Sequence, residues 1–243
     1  MRSLILIYIY IGSIILCGSC AAWQDSDPEK QIGIISNDKS FFSNTNITKY
    51  QNQEWDENGI PLIKYNDTEY HNPVNLCQVA IHYFEHYRIY NDPRSKKIFM
   101  RLANWLSKNF IYNQNRDFGG WYYPIAIDKY SCDPPWLSAM SQGLALPVLY
   151  QAYKMTGDES YLQTGSKAIN SFLIKVEDGG ILRYLDGSLW YEEYAGSKES
   201  YVLNGYIFAI SGLEYWSEHV NGYNSKKAAL LFRKGIIRRW GCS

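Results

Sequence analysis

Three long apolar stretches, each answered after a short break by a more amphipathic one, constrain the fold of this 243-residue chain more than any other feature. The first opens at Asn72-Pro73, where a proline costs nothing because the first N–H groups of a helix have no partner. Val74, Cys77, Ala80, Ile81, Phe84 and Tyr87 then follow at helical spacing. Asn91-Asp92-Pro93 breaks the chain, and Ile98, Leu102, Trp105 and Leu106 form the stripe of a return helix. The second pair opens at Asp133-Pro134-Pro135, runs over 136–155, turns at Thr156-Gly157-Asp158 and returns through Tyr161, Leu162, Ala168, Ile169, Phe172 and Leu173. The third starts near Ser197, turns at Asn221-Gly222 and returns through Ala228, Leu231, Phe232 and Ile236. Superposing the pairs aligns Gln78, Gln142 and Asn204, which are 64 and 62 residues apart. Inner helices that are apolar nearly all round, shielded by amphipathic outer ones, predict a mainly α fold. The architecture expected is an incomplete (α/α) toroid of about three helical hairpins with a small β-hairpin insertion. Pro147, inside the second inner helix, removes the bond to the carbonyl of Gly143 and predicts a kink there.

The connectors carry the polar signal. Residues 117–127, which include Trp121, read as a turn and a short strand. Ile181-Leu182-Arg183-Tyr184 with Asp186-Gly187 reads as a hairpin, leading into Trp190-Tyr191-Glu192-Glu193-Tyr194. Both connectors join an outer helix to the next inner one, so both fall on the same rim of the ring. The helix expected over 197–216 carries an Asn-Gly pair, Asn204-Gly205, in its apolar run. A buried amide without a partner costs about 1–3 kcal/mol, so Asn204 either bonds across to another helix or lines a wet cavity. A rim with two carboxylates and two phenols beside that amide is where chemistry is expected.

Lys+Arg and Asp+Glu are both 24, so there is no basic field for nucleic acid. Tyrosine is abundant, at 22 residues, and with tryptophan offers flat faces with a polar edge suited to sugar rings; most are nonetheless expected in the core. Residues 1–22 read as a targeting segment: Arg2, an apolar run over 4–16, then Gly18-Ser19-Cys20-Ala21-Ala22. Lipoprotein cleavage before Cys20, ordinary cleavage after Ala22 and an uncleaved anchor are the three readings. All three take the rest of the chain out of the cytoplasm, membrane-attached or periplasmic in a bacterium and secretory or Golgi-luminal in a eukaryote. Residues 23–70 read as an irregular arm with at most a short strand, and residues 71–243 as the helical domain. A Cys77–Cys132 disulfide is open to an exported chain. Asn46 and Asn66 begin sequons. The four histidines, 71, 82, 86 and 219, have no metal spacing, and neither metal nor cofactor is expected.

Trp136-Leu137-Ser138-Ala139-Met140-Ser141-Gln142-Gly143, then Trp190-Tyr191-Glu192-Glu193-Tyr194, then Ser200-Tyr201-Val202-Leu203-Asn204-Gly205, resemble the catalytic domain of the D-glucuronyl C5-epimerases. The resemblance covers roughly residues 71–220. It implies a helical toroid that converts glucuronate to iduronate in heparosan-type chains, so a uronic-acid polysaccharide is the expected partner. It assigns Glu193 and Tyr194 to catalysis, with Tyr194 on one face of the sugar and Glu193 as orienting partner or base. Asn204 is a substrate contact, and Gln142 and Trp121 are further substrate-binding candidates, although a glutamine in that setting is more often structural. The family continues with a fourth helical section carrying further tyrosines and an arginine; this chain ends at Arg238-Arg239-Trp240-Gly241-Cys242-Ser243. Impaired epimerisation and an exposed apolar flank that could support a homodimer are the expectations. A uronate lyase and a non-catalytic glycan-binding lipoprotein are the alternatives.

Overall fold

The computed structural model describes residues 53–237. The leader at 1–22, the first part of the arm, Cys17, Cys20, the Asn46 sequon, Cys242 and residues 238–243 lie outside it. Among the described residues no helix is long and apolar enough to cross a membrane.

Three helical pairs are present among the described residues: α1 (Pro73–Tyr90) with α2 (Pro93–Lys108), α3 (Ala139–Thr156) with α4 (Ser160–Asn170), and α5 (Leu203–His219) with α6 (Ser225–Ile237). The break between α1 and α2 does two jobs with three residues. Asn91 ends α1 in the left-handed region at φ 51°, and the Asp92 carboxylate receives the backbone N–H groups of Arg94 and Ser95 ahead of Pro93-led α2. Helix α3 packs on α1 on one side and on α5 on the other, with the partner helices outside them.

The contact between α3 and α5 is a glycine crossing. A Cβ on Gly143 would lie 2.6 Å from the Ala209 Cα, and one on Gly212 would lie 2.0 Å from the Gly143 carbonyl oxygen. Pro147 is inside α3 as expected, and having no N–H it leaves that Gly143 carbonyl without its helical donor. Gly143 admits a neighbouring helix backbone, and a Cβ on Gly212 would fall on the freed carbonyl.

Three two- or three-stranded antiparallel sheets fill the connections. The arm is more regular than its composition suggested: β1 (Glu54–Trp55), β2 (Pro61–Tyr65) and β3 (Thr68–Tyr70) form one sheet. Its first turn is set by Asp56, whose Oδ1 accepts from the Asn58 and Ile60 N–H groups at 2.9 and 2.7 Å. β4 (Ile111–Asn113) pairs with β5 (Phe118–Gly120), and β6 (Leu182–Leu185) with β7 (Ser188–Tyr191). Asp186 and Gly187 turn the last hairpin at φ 52° and 74°, as the Asp-Gly signal predicted. The two inter-pair connectors meet: Arg116 Nη1 donates to the Asp178 carbonyl at 2.6 Å, and Tyr130 stacks on Tyr194.

Two helix starts differ from the periodicity. α3 begins at Ala139 rather than Trp136, because Trp136 first bridges to Tyr123 and spends its indole N–H on the Ile125 carbonyl at 2.8 Å. α5 begins at Leu203 rather than near Ser197, because a carboxylate described below captures the backbone N–H groups of Ser200 and Tyr201. The pairing of Cys77 with Cys132 does not occur: both are buried free thiols.

Candidate active site

The adjacent acids at the end of β7 have separate fates. Glu192 is wholly buried. Its Oε1 accepts from Ser200 N at 3.1 Å and forms an ion pair with Arg183 Nε at 3.3 Å. Its Oε2 accepts from the Ser200 hydroxyl at 2.5 Å and from Tyr201 N at 3.1 Å. Its backbone receives Ala139 N–H and donates to the Ile181 carbonyl, both at 2.8 Å. Glu192 thus ties the hairpin, the start of α3 and the approach to α5 together, and it holds Tyr201 at φ 46°. With every lone-pair direction occupied, this acid is structural.

Glu193 is 8% exposed and sits at the N-terminus of α5. No side chain caps that helix from Val202; instead the Glu193 carboxylate accepts the Gly205 backbone N–H. A Cβ at position 205 would fall 2.3 Å from both Cβ and Oε2 of Glu193. The Asn-Gly pair is thereby explained: glycine lets the acid reach the helix end. Burial raises the Glu193 pKa, and hydrogen bonds from Tyr194 and from Gly205 offset only part of that rise. Oε2 is buried without a hydrogen-bond partner. The Tyr194 phenol is held well above its ordinary range by burial, by the Glu193 charge and by the hydrogen bond to it. Tyr194 is therefore a neutral hydroxyl at physiological pH, able to relay a proton to a carboxylate but not a standing phenolate.

An unbroken series of rings leads away from Tyr194. It stacks on Tyr130 at 4.1 Å and meets Trp136 at 5.8 Å. Trp136 stacks on Tyr123 at 4.1 Å, and Tyr123 meets Tyr70 at 6.3 Å. Asn72 fixes the far end, accepting from the Tyr123 hydroxyl at 3.2 Å and donating to the Tyr70 hydroxyl at 3.0 Å. Nothing in the sequence singles out Tyr70, Tyr123 or Tyr130 beyond the clustering of Tyr122-Tyr123 and Tyr130 in the first connector. A cleft of about 360 Å³ opens beside Trp136 and Ala195, with Asp133, Glu177, Arg183 and Ser197 among its walls. Arg183 is engaged there by Glu177 at 3.0 Å and by the Gly196 carbonyl at 2.5 Å.

Asn204 lies partly exposed in the first turn of α5, and its amide makes no hydrogen bond to a described residue. Gln142 is fully buried in α3, and neither of its amide atoms has a partner; a Cβ on Gly120 would overlap its Nε2. Ser138 Oγ, one helical turn earlier, is also buried and unpartnered. Such groups are ordinarily satisfied by bound water or ligand. Trp121 departs from expectation: it is 1% exposed, packs edge-on against Phe110 at 5.2 Å, and donates its indole N–H to the Leu106 carbonyl at 2.8 Å. Its ring and its N–H are taken up by the core, whereas Tyr194 and Tyr130 stay partly exposed.

A helical-hairpin domain presenting a buried acid–phenol pair at an inner helix terminus defines a class, and the comparisons name it. Residues 114–237 match the family described as D-glucuronyl C5-epimerase C-terminus, and the chain belongs to that family. A D-glucuronyl C5-epimerase of Caenorhabditis elegans is 43% identical over 119 residues, covering 47% of this chain and 18% of that protein. An uncharacterized protein of Methanocaldococcus jannaschii is 35% identical over 130 residues, covering 52% of this chain and 41% of that one. The matched parts span less than half the length of both relatives.

Proposed function

We propose that this chain acts on the C5 proton of glucuronate residues in an acidic, heparosan-type polysaccharide, as a C5-epimerase or one half-reaction of it. The observation that carries the reading is the Glu193–Tyr194 pair: a carboxylate made more basic by burial, hydrogen-bonded to a neutral phenol and to the N–H of Gly205, the residue after Asn204. The C5 proton is α to a carboxylate and very weakly acidic, so its removal needs a placed base and stabilisation of the enediolate-like product. In the proposed step the Tyr194 oxygen takes the C5 proton as its own proton passes to Glu193, leaving an intact phenol, a neutral carboxyl and the carbanionic sugar. Asn204 supplies a donor and an acceptor to the sugar. Return of a proton to the opposite face requires a second donor across the ring, and the proposal assigns none.

The test is exchange of C5 hydrogen for deuterium in a glucuronate polymer. The chain should catalyse exchange, and Tyr194→Phe should abolish it while polymer binding persists, since only the phenolic oxygen is lost. Exchange that survives Tyr194→Phe refutes the assignment. Ultraviolet absorbance from a new C4=C5 double bond would instead identify a lyase, and binding without either signal a glycan-binding protein. Export is a separate proposal that rests on the leader at 1–22: Cys20→Ser should abolish lipid labelling if the leader is a lipoprotein signal, and unchanged processing would favour cleavage after Ala22. Leu203 and Leu230, 44% and 50% exposed on the last helical pair, support self-association, which sedimentation equilibrium would test.

A further inference from the structure

The chain has no net charge, yet one helix is strongly cationic. Helix α2 carries Arg94, Lys96, Lys97, Arg101 and Lys108 and no acid. Among the described residues no carboxylate lies within ion-pairing distance of any of the five. Three of them, Lys97, Arg101 and Lys108, fall at intervals of four and seven residues and so share one face of the helix with Trp105. They line a cleft of about 730 Å³ formed between α2 and the first turn of the N-terminal sheet. Along the helix axis the three charges stand about 6 and about 10 Å apart, a ladder suited to an anion with regularly spaced charges.

The remaining walls are built for sugar rather than for phosphate alone. Trp105 is partly exposed and packs against His71 with ring centres 5.4 Å apart. Asn104 and Asn109 add amides to the same rim, Asn104 accepting from the Tyr161 hydroxyl with its Oδ1 while its N–H groups stay unspent. The single wall carboxylate, Asp56, is already engaged by the Ile60 and Asn58 N–H groups and, at 3.1 Å, by His71. Arg101 reaches the Gly59 carbonyl through a long contact of 3.4 Å, which leaves most of its guanidinium donors free.

The cleft also connects with the catalytic region through the chain itself. His71 lines it, while of the residues on either side Tyr70 belongs to the ring series that reaches Tyr194 and Asn72 is hydrogen-bonded to that series. Three ring-to-ring steps of 6.3, 4.1 and 5.8 Å separate Tyr70 from Tyr194. We propose that the α2 cleft is a second, non-catalytic binding site for an acidic polysaccharide, gripping the polymer away from the sugar held at Glu193–Tyr194. The inference rests on the proposed function for the identity of the polymer. Its consequence is length dependence: a polymer that reaches both sites binds with the advantage of a tethered second contact, and a disaccharide does not.

The experiment measures binding of heparosan and of a glucuronate-containing disaccharide to the full chain as a function of salt. Lys97→Gln/Arg101→Gln/Lys108→Gln should weaken heparosan binding about tenfold at physiological salt and flatten its salt dependence, because fewer counterions are released. Disaccharide affinity and C5 exchange on the disaccharide should be unchanged. A control with the same loss of charge elsewhere, Arg94→Gln/Lys96→Gln/Lys226→Gln, should leave heparosan binding near wild type. Lys97→Gln/Lys108→Gln, which keeps the Arg101–Gly59 contact, should show a smaller loss in the same direction and serves if the triple variant does not fold. Equal loss in the cleft and control variants would reduce the effect to net charge and overturn the site. Single-stranded DNA that competes as well as heparosan at matched charge would also overturn it. Heparosan binding that is normal in the cleft variants defeats this inference alone, whereas a chain that binds no uronate polymer defeats the proposed function with it.

Discussion

Two neighbouring glutamates that look equivalent in the sequence should respond in opposite directions to the same isosteric change. In Glu192→Gln one oxygen becomes an NH2 group that faces donors, the Ser200 and Tyr201 N–H groups and the Ser200 hydroxyl, and the Arg183 guanidinium loses the charge at 3.3 Å. Arg183 is 10% exposed, so water cannot replace that partner. Removing one member of a buried pair costs about 3–5 kcal/mol. Arg183 keeps Glu177, which is 64% exposed and worth little, and the Gly196 carbonyl, so the lower end applies, about 3 kcal/mol. In a domain of this size that lowers Tm by about 6–12 °C. Glu193→Gln works the other way. The native state raises the pKa of Glu193, so it holds the acid's proton more tightly than the unfolded chain does. The stability tied to that proton is complete below the ordinary carboxylate range and lost as pH climbs through the raised native value. At neutral pH the charged acid is thus a burden, and glutamine, which mimics the neutral form, removes it. Thermal denaturation at pH 7 should therefore find Glu193→Gln at least as stable as wild type and inactive in exchange, with its advantage fading at acid pH. A Glu192→Gln Tm within about 2 °C of wild type, or a Glu193→Gln loss larger than that of Glu192→Gln, would refute the division of roles.

Gly212→Ala places a methyl group 2.0 Å from the Gly143 carbonyl and must push α5 off α3, so it should cost about 1–3 kcal/mol or more in urea titration; a neutral result would mean the crossing is loose. The acid limb of the exchange rate should lie above that of a solvated glutamate, because burial makes Glu193 harder to ionise; a limb at or below the usual carboxylate range in the pH–rate profile contradicts the assignment of Glu193 as proton acceptor. Cys77 and Cys132 are 0% and 1% exposed, and burial pushes the Cys132 thiol up to about 12. Peptide mapping after alkylation at pH 8 should find both unmodified in the folded chain and modified in urea, and a mapped disulfide between them would be the opposing result.

What the sequence made legible follows from how local each determinant is. The helical pairs were readable because their caps are written in adjacent residues: Asn91-Asp92-Pro93 ends and restarts a helix whatever lies around it. The Asp186-Gly187 hairpin was readable for the same reason. Failures came where a distant group overrode a local pattern. Helical periodicity ran on through 197–202, yet the Glu192 carboxylate takes two backbone N–H groups there and delays α5 to Leu203. Trp121 resembled a rim aromatic until the Leu106 carbonyl, fifteen residues away, claimed its indole. In the site, the Glu193–Tyr194 pair and Asn204 were visible as a motif, but which glutamate is structural was not, since that depends on Arg183 reaching across the hairpin.

Gly205 joins these two levels. In the sequence it is a weak helix residue following an asparagine, with no evident reason to be there; glycine in a helix costs about 1 kcal/mol relative to alanine. In the fold it is the only residue type that lets the Glu193 carboxylate approach the unsatisfied N–H groups of α5, which Val202 leaves uncapped. Burial makes the acid more basic, and the helix-end N–H offsets part of that rise. Gly205→Ala should therefore do what neither glutamine substitution does, lowering stability and exchange together by displacing an intact acid. If Gly205→Ala left the pH–rate profile of wild type unchanged, the helix terminus would have no part in tuning Glu193.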